Sequence, residues 1–469
     1  MRTRAIRSVA IAGGGITAWS AAAALKRRIP ILDVQVVSKA PAADALADLI
    51  TDTLPSIGEF HSDIGLTDED TIVRARSGLR IGTTFKAWAK KLPDYVHAYG
   101  RYGVPVDGVA FHQLWLRDHH PRGRPFDAFS PAAQRPSEPE VGYGLRLTTD
   151  IYRQLLHDYS LHLGVVERPG EVAEVELRGA DGFIDAIVLA DGQRIAADLF
   201  IDCSGPEAPI RSRVGGGLDD WSRWLLCDRV MIEARVPEPD KPLLDEVTAN
   251  AAGWSWRSPS PSATVAGQVF SSAHSDNSQG AIPIRQGRLA EPWMRNCVAI
   301  GDAAVRVEPL EWTNLHLAHS QIDRLVSMMP DTECAPVELA EYNRQCNAEA
   351  DRVRDFLCMH YVTARRSEPF WKDAAAVEPP PSLAHTLSLF AERGRLPYYE
   401  EETFARDSWL AVLLGQGFQP RRIDPLTDSV TPEQVEIALS SRRQSREALA
   451  QAQPSYRGTF LQMGQRAQQ

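Results

Sequence analysis

Asp302, Glu308, Glu311 and Thr313 crowd into one stretch of this chain, Cys297 to His319 (CVAIGDAAVRVEPLEWTNLHLAH). The apolar run Val298-Ala299-Ile300 predicts a short buried strand. Gly301 breaks it, and Asp302 falls at the strand's carboxyl end, where open α/β sheets bind their ligands. Pro309 stiffens the turn between Glu308 and Glu311. Thr313 and Asn314 then lead into a helix predicted over Leu315–Met329. Such a corner suits a meeting of cofactor and reaction. A second candidate is Lys86, directly after Thr83-Thr84-Phe85, although a lysine there is ordinarily a solvated strand end. A third is the pair Trp254 and Trp256. On a strand their spacing puts both indoles on one face, where they pack a core or line a cavity.

These residues need elements to hold them. Near the N-terminus, Ser8–Ala12 reads as a strand, Gly13-Gly14-Gly15-Ile16-Thr17-Ala18 as a turn, Ser20–Leu25 as an Ala-rich helix and Leu32–Val37 as a second strand. This is a βαβ dinucleotide unit in GxGxxA form. Gly13 makes the turn, Gly15 admits a diphosphate to the helix N-terminus, and Ala18 allows close helix–strand packing. Ser38-Lys39 stands where an acidic residue ordinarily bonds the ribose. Asp198–Gly205 (DLFIDCSG) reads as an apolar strand ending in a glycine, a second close approach to a cofactor.

Between these units, Pro55–Glu59 reads as a turn-like insertion. A helix is predicted over 147–160, alternating short strands over 170–205, and a strand-rich segment over 221–236. Glu341–Arg366 predicts a long helix, with Val353, Phe356, Leu357 and His360 in register, and the remainder reads as mostly helical. The domain expectation is residues 1–330 as a Rossmann-type core with a mixed sheet and inserted elements. Residues 331–469 form a helical, substrate-side region, ending in a polar helix and a frayed tail.

Composition agrees with a large soluble core: 43% of the 469 residues are apolar and 24% charged. A formal net charge of −10 argues against nucleic acid, which needs a concentrated positive face. Six scattered cysteines without a CxxC pair predict free thiols, no metal site and a cytoplasmic protein. No apolar run is long enough to span a bilayer.

Many separated motifs carry a resemblance to the flavin-dependent tryptophan halogenase family. They include Gly13–Trp19, Thr84-Phe85-Lys86, Phe111–Trp115 (FHQLW), Phe200–Gly205 (FIDCSG) and Cys227–Arg229. Further along come GWSWR, VAIGDAA with EPLE-x-T, Glu341–Arg344, Arg354–Tyr361, Pro369–Trp371 and Ser408–Gly417. The resemblance implies an α/β, FAD-binding monooxygenase-type fold. Reduced FAD and O₂ there give a C4a-hydroperoxide that oxidises chloride or bromide to hypohalous acid, which is relayed to a lysine and on to an aromatic substrate. It implies Lys86 and Glu311 as catalytic residues, the latter stabilising the arenium intermediate and removing its proton. Gly13, Gly15, Thr17, Ala18, Ser38, Lys39, Gly205, Gly301, Asp302 and Ala304 are implied to bind FAD, Thr313 and Asn314 to bind halide, and Trp254, Trp256, Glu311 and Trp312 to meet substrate.

The chain departs from the family pattern at the reaction site. Trp312 and Asn314 replace small residues around Thr313, and Ser258 replaces the isoleucine of W-x-W-x-I-P. The leading expectation is FADH₂- and O₂-dependent halogenation of an indole or phenol. A separate flavin reductase is expected, because the sequence shows no second nucleotide-binding motif. A homodimer is the remaining assembly expectation. The alternatives are a flavin monooxygenase on the same fold and a catalytically idle protein that binds flavin or an aromatic ligand.

Overall fold

The computed structural model describes residues 4–50, 52–122, 125–130, 142–235, 243–259, 264–275 and 279–452. The tail after Ala452 lies outside the described residues.

The N-terminal unit forms as its sequence predicts. Strand β1 (Ser8–Ala12) runs into helix α1 (Ile16–Arg28) and strand β2 (Asp33–Ser38). β1 lies between β2 and the strand Leu199–Asp202, parallel to both, with Ile11 opposite Val36 and Ile201. Cys297–Ala299 extends the sheet on one side in parallel, and Val166–Pro169 extends it on the other. Strands buried on both faces need continuous apolar runs, and VAIA, LFI and CVA supply them. The carboxyl ends of β1, Leu199–Asp202 and Cys297–Ala299 therefore open on one edge, with Gly13, Gly205 and Gly301 beside them.

After β2 the chain makes a single turn of helix, α2 (Leu46–Leu49), then α3 (Ile57–Ile64) and α4 (Asp68–Arg74). Of the turn-like insertion expected at Pro55–Glu59, Pro55 and Ser56 do turn, and Ile57–Glu59 begin α3. Ile57, Phe60 and Ile64 recur at helical spacing and bury one face. Strands β3 (Gly78–Arg80), β4 (Gly82–Lys86) and β5 (Tyr95–Ala98) follow.

β4 and β5 close a second, seven-stranded sheet. Its order is Ile282–Pro283, Arg229–Arg235, Thr264–Phe270, Gly253–Pro259, Leu244–Ala249, β4, β5. Only the Leu244–Ala249 and β4 pair is parallel. Of the strand-rich segment predicted over 221–236, the strand is confined to Arg229–Arg235. Trp221 to Cys227 turns instead, holding the buried indole of Trp221 in the core.

The long helix runs Pro336–Val362, and Thr149–His162 and Asn314–Ser327 match their predicted helices closely. One hydrophobic cluster joins Phe85, Trp88, Trp254 and Trp312 to Phe356, Tyr361, Trp371 and Trp409. The C-terminal helices therefore share their core with the second sheet rather than packing by themselves. Among the described residues no helix is long and apolar enough to cross a membrane, and no group of His, Cys, Asp and Glu could hold a metal ion.

Candidate active site

The turn Pro309–Thr313 sets the chamber. Glu311 and Trp312 both hold φ of 62°, a left-handed conformation rare for side-chain-bearing residues and worth roughly 1–3 kcal/mol of strain each. Trp312 N donates to Pro309 O at 3.0 Å, and Asn314 Nδ2 donates to Val307 O at 2.8 Å. Those bonds and the burial of Leu310, Glu311 and Trp312 keep the turn in place.

Glu311 is buried between two histidines. His97 Nδ1 donates to Oε1 at 2.9 Å and lies 3.0 Å from Oε2, while His360 Nε2 lies 3.0 Å from Oε1. Burial works to raise its pKa, but the two imidazoles hold it down at about 2. It is therefore an ionised carboxylate in a dry place. Around the two imidazoles stand Phe85, Trp88, Phe356 and Phe404, with centroids 4.9 to 6.3 Å away. Sequence reasoning missed His97, which carries no motif. His360 showed only as a member of a helical row.

The register of the second sheet places Lys86 away from this chamber. Thr83 pairs with His97 across β4 and β5, so the two share a face. Phe85 points the same way, and Thr84 and Lys86 the opposite way. Lys86 is half-exposed there and donates to Glu246 at 2.7 Å. Lys86, expected as a catalytic residue, therefore stands on the face of β4 opposite Thr83 and Phe85.

The cation on the chamber's side is Arg80, at the end of β3. Its guanidinium is fully buried, 5.6 Å over the Trp312 ring and 5.2 Å over Tyr99. Nε donates to Asp245 at 2.5 Å, Nη1 to Thr53 O at 2.6 Å and to Tyr99, and Nη2 to Thr83 Oγ1 at 3.2 Å. Asp245 also accepts from Arg146 at 2.8 Å, and Ser258 Oγ donates to Asp52 at 2.5 Å and lies 3.1 Å from Asp245. Ser258 thus serves a buried carboxylate network. The signal in the sequence was an arginine flanked by the apolar Leu79 and Ile81.

Trp254 and Trp256 share the chamber's face, because they pair with Ala249 and Val247, and Val247 pairs with Phe85. Trp254, Trp256 and Trp312 form a ladder with centroids 5.7 and 6.1 Å apart. Trp254 Nε1 donates to Tyr361 Oη at 2.9 Å, and Tyr361 donates to Glu308. Burial lifts Glu308 to about 7. Thr313 Oγ1 is buried and unpartnered among the described residues, at the N-terminus of Asn314–Ser327. Asn314 Nδ2 is tied back to Val307 O, and its Oδ1 is likewise buried and unpartnered among the described residues.

Two cavities take different residues of the segment Ala42–Asp48 into their walls. One, of about 360 Å³, is lined by Gly13, Gly14, Gly15, Lys39, Glu171 and Ser204 among others. The second, of about 410 Å³, is lined by Gln286, Asp302, Arg306 and Val307 among others. Gly13, Gly14 and Gly15 line the first cavity with backbone, as a diphosphate approach requires, and the first two are also demanded by packing: a Cβ at Gly13 would stand 2.5 Å from Cys203 O, and at Gly14 2.4 Å from Lys39 O. Ala18 packs under Gly13 as expected.

The other expected contacts divide. Asp302 faces the second cavity, is lifted by burial to about 8, and accepts from Ala47 N at 2.7 Å. Gly301 packs on Thr17, and Gly205 on Ala45. Ala304 is buried, its carbonyl accepting from Leu289 N. Ser38 engages Glu167 and Lys39 pairs with Glu171 at 2.6 Å. No acidic residue stands at the end of β2, but the Glu171 carboxylate lines the first cavity.

The tryptophan halogenase family model matches residues 8–432. Among solved structures, the chain is similar to BrvH, a flavin-dependent halogenase from Brevundimonas sp. BAL3. The identity is 32%, over 98% of this chain and 99% of that one, with a TM-score of 0.90. It is similar also to Xcc4156, a flavin-dependent halogenase from Xanthomonas campestris, with 31% identity over 98% and 99% of the two chains and a TM-score of 0.91. Tryptophan 6-halogenase SttH from Streptomyces toxytricini is 25% identical over 99% of this chain and all of its own length. The α/β flavoprotein fold, the glycine cradle and the length of these matches agree, and the chain belongs to the tryptophan halogenase family of flavin-dependent oxidoreductases.

Proposed function

We propose that this protein halogenates an electron-rich aromatic, an indole or phenol, with chloride or bromide, FADH₂ and O₂. A separate reductase delivers the flavin. The observation that carries the reading is the ionised, buried Glu311 inside an aromatic box, next to the unpartnered Thr313 hydroxyl.

When bound in the cradle, reduced flavin supplies with O₂ the two-electron oxidation of halide to hypohalous acid. Gly13, Gly14, Gly15 and Thr17 would hold its diphosphate, and Asp302 and Arg306 line the cavity nearer the turn. Thr313 Oγ1 donates to the halide. In the chamber the aromatic carbon takes the halogen from hypohalous acid. The O–X bonding pair leaves with oxygen, which is released as water after protonation. Glu311 steadies the cationic ring and accepts the C–H proton.

Arg80, rather than Lys86, is the cation that serves the oxidant. Among the described residues it commits four of its five N–H groups, which leaves one on Nη2. A guanidinium stays protonated, so it donates a hydrogen bond to the oxygen of hypohalous acid and takes no covalent halogen.

The test is a reductase-coupled assay with bromide and a panel of indoles and phenols, read by mass spectrometry. Brominated product that disappears in Glu311→Gln is expected. Product unchanged in that variant would sink the role of Glu311. Hydroxylated product independent of halide would replace halogenation by monooxygenation.

A further inference from the structure

The flavin cradle holds an anion of the protein's own. Thr17 is the second residue of α1, and its N–H and hydroxyl both donate to Asp48 Oδ1, at 2.8 and 3.0 Å. Free N–H groups and the helix dipole at that terminus, after a glycine-rich turn, are what a dinucleotide's diphosphate ordinarily engages. The carboxylate also sits on the cradle floor: a Cβ at Gly15 would stand 2.2 Å from Asp48 Oδ2. Asp48 belongs to α2 and lines the glycine-walled cavity, while Asp44 and Leu46 just before it line the other.

We propose that Asp48 is an intramolecular competitor for the flavin's diphosphate, so that FAD loads by displacing the Asp48 carboxylate from Thr17 and the Gly15 cradle. The inference rests on the flavin-dependent reading above. The competing charges have the same sign and want the same donors, so both cannot occupy them.

The segment is built to exchange. α2 is a single turn of Leu46–Leu49, held toward the second cavity by the bond from Ala47 N to Asp302 at 2.7 Å. Beyond it the chain is firmly anchored: Thr53 N donates to Leu145 O at 3.0 Å, Thr53 Oγ1 accepts from Leu145 N at 2.8 Å, and Thr53 O accepts from Arg80 at 2.6 Å. Movement is thus limited to the residues before Asp52. Burial also disfavours the Asp48 anion, lifting its pKa to about 6 against the bonds from Thr17. A group held at such a cost is displaced more readily than one at ease. The enzyme then takes flavin reversibly from its reductase rather than keeping it.

The experiment is an equilibrium titration of FAD by flavin fluorescence for the full chain, Asp48→Ala and Asp48→Asn, with inorganic pyrophosphate titrated in parallel by calorimetry. Asp48→Ala is expected to bind both ligands at least about tenfold more tightly. Asp48→Asn, which keeps the acceptor but not the charge, is expected to gain less. It decides the matter if the alanine variant fails to fold. Unchanged or weaker binding of both ligands in a folded variant overturns the assignment. Tighter pyrophosphate with FAD bound by no form upholds the competition at the cradle and removes the flavin reading instead.

Discussion

His97 Nδ1 lies 2.9 and 3.0 Å from the two oxygens of Glu311, and strand pairing with Thr83 aims it there. The base of the proposed reaction, on a turn, is thus held by a residue of a sheet strand far away in sequence. Without His97, burial of Glu311 loses its main opponent. His97→Phe is expected to raise the pKa of Glu311. The active form is the carboxylate, so the acid limb of the kcat profile moves to higher pH. A profile that superimposes on the wild type would remove His97 from this role.

Lys86 provides a contrast. Its pair with Glu246 is open to solvent, and such pairs contribute only about 0–1 kcal/mol. Lys86→Ala is expected to change neither product yield nor melting temperature appreciably, whereas Arg80→Met abolishes halogenated product. A loss of product in a stable Lys86→Ala protein would restore the lysine relay.

Asp245 lies at 0% side-chain exposure between Arg80 and Arg146. Removing one member of such a set leaves buried charge uncompensated. Asp245→Ala is therefore expected to lose roughly 3–5 kcal/mol in urea unfolding. A loss below about 1 kcal/mol would mean that solvent reaches the arginines.

Asp302 has a folded pKa of about 8 against an ordinary value of 3.8. The folded state binds this proton more tightly, so ionising the group costs stability. The contribution is most favourable below about pH 4 and is lost as pH rises toward 8. In the flavin-free protein, Asp302→Asn is expected to flatten the fall in melting temperature between about pH 4 and 8. Parallel curves for the two proteins would place the pH dependence elsewhere.

Much of this was legible in the sequence. Short-range patterns carry the βαβ unit, because a strand, three glycines and an alanine each act on their immediate neighbours. The left-to-right order of the Gly301–Thr313 stretch was likewise readable, with its strand, corner, turn and helix. Family resemblance extended the reading to the fold and to flavin.

What the sequence left open depends on faces and distant partners. Lys86 and Arg80 stand close together in sequence, yet they belong to different sheets: Arg80 ends β3, which pairs with Gly144–Arg146, and Lys86 ends β4. Pairing of β4 with β5 and Leu244–Ala249 turns Lys86 away from the face of Thr83 and Phe85, since shifting by one residue reverses the face. The same holds for His97 and His360, brought to one carboxylate from a strand and a helix, and for Asp48, carried back onto Thr17 by a single helical turn. Local composition decided which elements form. Tertiary packing alone decided which charges share a dry space, because burial and electrostatic partnership are properties of the folded surroundings.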